Sequence, residues 1–117
     1  PFHSPLLNTA GEKLAEGLAP CKLSGLKIPY ISNTLAEPVT DKTKIKDLLT
    51  RQISSPVRWR ESMEELIREG VGTFIEIGPG KTLSGFLKKI DRNAVVYSIQ
   101  TMEDLEKTVE LLKGRNL

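Results

Sequence analysis

Thr73-Phe74-Ile75-Glu76-Ile77 runs directly into Gly78-Pro79-Gly80 and then into a segment with Leu83, Phe86, Leu87 and Ile90 at helical spacing. An apolar, β-branched run ended by a glycine turn and followed by a 3.6-residue period predicts strand, tight turn and helix. Ala94-Val95-Val96-Tyr97-Ser98-Ile99 repeats the strand signal, and Met102, Leu105, Val109 and Leu112 repeat the helical one. Strands alternating with helices predict an α/β fold, a mostly parallel sheet with flanking helices.

Working outward toward the N-terminus, Ile28-Pro29-Tyr30-Ile31-Ser32-Asn33 predicts a third, buried strand with its proline near the start. Ile45, Leu48, Leu49 and Ile53 mark a helix that Ser54-Ser55-Pro56 breaks. The next helix has Trp59, Met63, Leu66 and Ile67 as its inner stripe and stops at Gly70. At the front of the chain, Ser4 and Pro5 form a helix start, a capping hydroxyl followed by proline at the first helical position. Leu7, Ala10, Leu14 and Leu18 then continue to Pro20. Three strands leave two sheet edges open for little core, so further strands are expected beyond these residues.

The 117 residues have the length of one domain and contain no repeat, low-complexity tract or linker. Seventeen basic and fifteen acidic residues give a net charge of +2 and are interspersed, which makes a nucleic-acid partner a poor expectation. No apolar run approaches the roughly 20 residues of a membrane span, and neither a membrane partner nor a signal peptide is expected. Cys21 is the single cysteine, so an internal disulfide is excluded, and a reducing, cytoplasmic setting fits. One cysteine and one histidine also argue against a metal site, and no cofactor is expected.

Two motifs carry possible chemistry. Gly80-Lys81-Thr82 matches the tail of a phosphate-binding loop, but the first glycine of that loop would fall at position 75, where Ile75 stands inside the strand. A structural turn is the better reading. His3, the sole histidine, stands just before a helix start. By itself it reads as a surface or capping residue, because a general base is recognised by its partners.

Four segments change the standing of His3. His3-Ser4-Pro5-Leu6-Leu7, Tyr30-Ile31-Ser32-Asn33, Arg51-Gln52-Ile53-Ser54-Ser55-Pro56-Val57-Arg58-Trp59 and the Phe74–Leu83 stretch, in this order and spacing, resemble the C-terminal part of the malonyl-CoA:acyl carrier protein transacylase family, essentially end to end. That acyltransferase superfamily also includes the acyltransferase domains of fatty acid and polyketide synthases. A chain ending soon after the last helix looks more like the free-standing bacterial form.

The resemblance implies that residues 1–117 are the C-terminal segment of an α/β-hydrolase-like large subdomain, with the nucleophile-bearing N-terminal part absent. It implies transfer of malonyl from coenzyme A to the phosphopantetheine thiol of acyl carrier protein in fatty acid biosynthesis. Malonyl-CoA, acyl carrier protein and the missing N-terminal part of the same enzyme would be its partners. The family's Gly-His-Ser-x-Gly elbow does not occur here, and its carboxylate-binding Arg has no matching context, so this segment alone is expected to be inactive.

His3 matches the family's general base, and Gln52 the residue whose backbone carbonyl orients that base in place of a triad acid. The Gln52 side chain is expected to be replaceable. Asn33, Phe2, Gly78 and Gly80 are candidates for the substrate pocket, Asn33 reading equally as a turn cap and the glycines as backbone geometry. Trp59 reads as core. Lys81, Lys88, Lys89 and Arg92 fit either an acidic carrier protein or a solvated helix face. The rivals are an acyltransferase of another preference, such as methylmalonyl, and a non-catalytic interaction module of the same fold.

Overall fold

The computed structural model describes residues 2–114. It divides into two compact units, Pro1–Leu66 and Ile67–Leu117, where length alone suggests one domain.

In the first unit a 3-10 turn over Pro5–Leu7 leads into helix α1, Asn8–Leu18. The predicted helix start is therefore displaced by three residues. Ser4 is extended and its hydroxyl does not cap the helix; the Leu7 N–H donates to the Ser4 carbonyl at 3.0 Å instead. Strand β1, Tyr30–Ile31, pairs antiparallel with β2, Pro38–Val39. After a 3-10 turn at Lys42–Lys44 come α2, Ile45–Gln52, and α3, Trp59–Arg68. Ala36, Val39, Leu48 and Met63 are buried together with Ser32 and Ser62.

The Ile28–Asn33 strand predicted for the parallel sheet is thus corrected to a two-residue antiparallel rung, and Ile28 is exposed. Prolines explain its brevity. Pro29 and Pro38 bring no N–H to a ladder, and the chain reverses at once through Ser32-Asn33-Thr34-Leu35-Ala36. Within this reversal the Ser32 hydroxyl accepts from the Thr34 and Leu35 N–H groups at 3.3 and 3.4 Å, and the Ala36 N–H donates to the Ser32 carbonyl at 2.7 Å. Ala36 takes the left-handed conformation, φ +57°, which costs a residue with a Cβ roughly 1–2 kcal/mol and persists because its neighbours over-determine it.

The second unit is a β-α-β-α run. Strand β3, Thr73–Ile77, lies parallel to β4, Val95–Ile99, in the register Thr73 to Val95 through Ile77 to Ile99. Helix α4, Thr82–Ile90, connects them, and α5, Met102–Lys113, follows. Among the described residues the parallel sheet has two strands, one fewer than predicted. Leu87, Ala94 and Ile99 form the buried apolar core. Leu83 and Phe86 of the expected α4 stripe, and Met102, Leu105 and Val109 of the α5 stripe, are exposed, while Thr108 is buried. Ile75 and Ile77 of β3 are 44% and 79% exposed, unusual for a parallel strand, which is ordinarily covered on both faces.

Candidate active site

His3 is held in the left-handed conformation, φ +55°, and its ring nitrogen Nδ1 lies 2.9 Å from the main-chain carbonyl oxygen of Gln52. Gln52 is the last residue of α2. The final carbonyls of a helix have no partner within it. Here the two before Gln52 are met by the chain itself, Ile53 N–H donating to Thr50 at 3.3 Å and Ser54 N–H to Arg51 at 3.2 Å. The Gln52 carbonyl is left to receive the imidazole. A carbonyl oxygen can only accept, so Nδ1 carries the hydrogen and the lone pair is at Nε2.

The Gln52 side chain has a partner of its own. Its Oε1 accepts from Asn33 Nδ2 in a long hydrogen bond of 3.5 Å. Asn33 is half-buried in the reversal after β1, and its carbonyl accepts the Arg58 N–H at 3.0 Å. Arg58 also donates from Nη1 to the Leu35 carbonyl at 2.9 Å and from Nε to Glu61 at 3.1 Å. The structure therefore brings His3, Gln52 and Asn33 into one hydrogen-bonded chain, with Gln52 half-buried rather than fully solvated. Phe2, next to His3, is 87% exposed. Trp59 is half-buried.

Gly78 and Gly80 belong to the second unit, where they shape the turn between β3 and α4. Gly78 N–H donates to the Ile99 carbonyl at 3.0 Å and Gly80 N–H to Gln100 Oε1 at 2.9 Å, with Gly80 at φ +85°. The N-terminus of α4, where a phosphate loop would hold its anion, is already occupied by a carboxylate. Glu76 accepts from Leu83 N–H at 3.2 Å, from Ser84 N–H at 2.9 Å and from the Ser84 hydroxyl, which is also 3.2 Å from the Ser98 hydroxyl. Ser84, first among these donors, holds the Glu76 carboxyl below its ordinary range. Sequence reasoning missed this cap. The signal for it is Lys81 at the N-cap of α4, a residue with no acceptor to offer.

Among the described residues no three His, Cys, Asp or Glu side chains gather as metal ligands, and no helix is long and apolar enough to cross a membrane. Of the basic candidates, Lys88 donates to the Ala94 carbonyl at 2.5 Å and to that of Arg92 at 3.3 Å, and Lys89 stands 5.9 Å over the Phe86 ring.

No protein-family model matches the chain. Among curated proteins, the malonyl CoA-acyl carrier protein transacylase of Bacillus subtilis is 47% identical over 116 residues, covering 99% of this chain and 37% of its own length. That of Staphylococcus aureus is 43% identical over 106 residues, 91% of this chain and 34% of its own. Among solved structures, the malonyl CoA-acyl carrier protein transacylase of Clostridium perfringens matches with a TM-score of 0.88 and 41% identity, over 97% of this chain and 36% of that one. A malonyl-transacylase in complex with its type II PKS acyl-carrier protein matches with a TM-score of 0.86 and 31% identity, over 94% of this chain and 36% of that one. The chain thus spans little more than a third of the relatives it matches.

Proposed function

The chain is homologous to the C-terminal part of malonyl CoA-acyl carrier protein transacylases, and from that homology we propose that it supplies the general-base half of a malonyl-transfer site. The remainder of the same protein would supply the nucleophilic serine, the oxyanion donors and the arginine for the malonyl carboxylate. Residues 1–117 would be the C-terminal segment of an α/β-hydrolase-like large subdomain, a reading that the parallel β3–α4–β4 unit supports. The exposed Ile75 and Ile77 support it too, since a sheet extended by strands from the remainder of the protein would cover such residues.

The single observation that carries the proposal is the 2.9 Å contact between His3 Nδ1 and the Gln52 carbonyl. With Nδ1–H fixed on that carbonyl, Nε2 takes the serine proton as the hydroxyl oxygen attacks the thioester carbonyl of malonyl-CoA. Collapse of the tetrahedral adduct breaks the C–S bond, and Nε2 returns the proton to the departing coenzyme A thiolate, leaving malonyl on serine. The second half runs in reverse, with Nε2 taking the proton of the phosphopantetheine thiol and giving it back to serine as malonyl leaves on the carrier protein. The carrier protein as acceptor is supported by the transacylase–carrier complex among the similar structures. A cytoplasmic setting is part of the same proposal, in keeping with the lone Cys21.

Single-turnover acylation with labelled malonyl-CoA, on the complete polypeptide, tests this. His3→Ala should slow acylation by about 10²- to 10⁴-fold while malonyl-CoA still binds. Acylation by His3→Ala at the parent rate would remove the base assignment.

A further inference from the structure

Asn33 stands at the far end of the hydrogen-bonded chain from His3, and nothing in the acyl-transfer steps above uses it. Its place is nonetheless closely specified. The preceding Ser32 is 1% exposed, its hydroxyl ties the two N–H groups that follow Asn33, and its own N–H donates to the Glu37 carbonyl at 3.1 Å. Arg58 grips the same reversal twice, by its main-chain N–H to the Asn33 carbonyl and by its guanidinium to the Leu35 carbonyl. Ala36 closes the reversal in a strained left-handed conformation. Such over-determination of a six-residue loop serves to hold something still.

What the loop presents to α2 is the Asn33 carboxamide, whose Nδ2 donates to Gln52 Oε1. Gln52 ends α2, and a helix end frays unless it is tied. Beyond the Ile53 and Ser54 N–H bonds that close this last turn, Gln52 itself is reached by Asn33 on the side chain and by His3 on the main-chain carbonyl.

We propose that Asn33 is a positioning residue of the acyl-transfer site, acting through Gln52: by anchoring the Gln52 side chain it fixes the direction of the Gln52 carbonyl, and with it the tautomer and ring orientation of His3. The inference rests on the base assignment to His3. It replaces the expectation that Asn33 lines the substrate pocket with a role in which Asn33 touches no substrate.

The two roles separate kinetically. In the complete polypeptide, Asn33→Leu keeps the size of the side chain and removes its donor. Single-turnover acylation should slow about three- to tenfold, the worth of one modest hydrogen bond, with malonyl-CoA binding unchanged within twofold. Gln52→Leu cuts the same bond from the other side, retains the main-chain carbonyl but not its anchor, and should give the same loss; it also serves if Asn33→Leu does not fold. Asn33→Asp should restore most of the rate, because the Gln52 amide can turn and donate to the carboxylate.

The decisive arm is the His3→Ala background, where adding Asn33→Leu should cost nothing more, since the base through which Asn33 acts is gone. A further loss in that background would overturn the proposal, as would a raised KM at unchanged kcat, which marks a pocket residue, or normal acylation by Gln52→Leu. Failure of the base assignment looks different: His3→Ala itself would acylate normally.

Discussion

Replacing Gly11 tests whether the contact between α1 and the last turn of α2 sets the geometry of the His3–Gln52 pair. Gly11 is buried on α1, and a Cβ there would stand 3.3 Å from the Thr50 carbonyl oxygen, 3.8 Å from Thr50 Cγ2 and 4.0 Å from Ile53 Cβ. The last two are ordinary contacts. The first is tight against backbone, so α2 must yield by a few tenths of an ångström. Opposing this, alanine gains about 1 kcal/mol over glycine inside a helix. Gly11→Ala should therefore leave stability within about 1 kcal/mol of the parent, the two effects being of similar size.

Gly11→Val pushes two further carbons into the same space, and overpacking of this kind costs about 1–3 kcal/mol. Because Gln52 lies one residue beyond Arg51 and two beyond Thr50, a displaced turn carries its carbonyl away from His3 Nδ1. Urea melts and single-turnover acylation of the complete polypeptide should show a lower midpoint for Gly11→Val and a slower acylation at unchanged malonyl-CoA affinity. A Gly11→Val protein that melts and acylates like the parent would refute the reasoning.

Leu87, 3% exposed, centres the core of the second unit, so Leu87→Ala should cost about 2–5 kcal/mol in a denaturant melt. Stability should also fall in acid. Donation from Ser84 to Glu76, and from the Gln100 N–H and then the Thr101 cap to Asp104, depresses both carboxyls, so their contribution is present above the unfolded carboxyl range of about 4 and is lost as pH falls through the lower folded values. Glu76→Gln should flatten part of this decline, and a pH-melting profile identical to the parent's would count against it. Neither ATP nor GTP should bind at Lys81, since Glu76 already fills the helix end; saturable micromolar binding in a calorimetric titration, lost in Lys81→Ala, would reverse that conclusion. The 117 residues expressed alone should self-associate through faces such as Ile75 and Ile77, which sedimentation can check against a sharply melting monomer.

The alternation from Thr73 to Lys113 was legible because every signal read in it is local: β-branched runs, a glycine turn and helical spacing. The β1–β2 rung was not, because two two-residue strands carry no periodicity and Pro29 and Pro38 sit where a ladder needs donors. The apolar stripes of α4 and α5 were correctly placed on helices, yet only residues such as Leu87 are covered among those described, so pattern announced faces without saying what lies against them. His3 with Gln52 could come only from resemblance. The two are 49 residues apart, and a main-chain acceptor leaves no side-chain signature. The Asn33–Gln52 bond had no signal at all, since either amide reads as a solvated or turn residue until both are placed.

A triad acid brings a full charge that must be buried and hydrogen-bonded to be tolerated, and it announces itself in a sequence. The carbonyl at the end of α2 offers a weaker acceptor, part of the negative end of a helix, with little desolvation cost. In the proposed site that substitution would move the orientation of the base from one side chain to the direction of a backbone. A carboxylate can rotate to follow a displaced imidazole, whereas a peptide carbonyl cannot turn without its helix end. If His3 is the base as proposed, control over it would pass to residues that fix the backbone: Gly11 against Thr50, Arg58 on the Asn33 and Leu35 carbonyls, and Asn33 on Gln52. Substitutions at those positions should therefore alter acyl transfer although none of them can take or give a proton in the reaction.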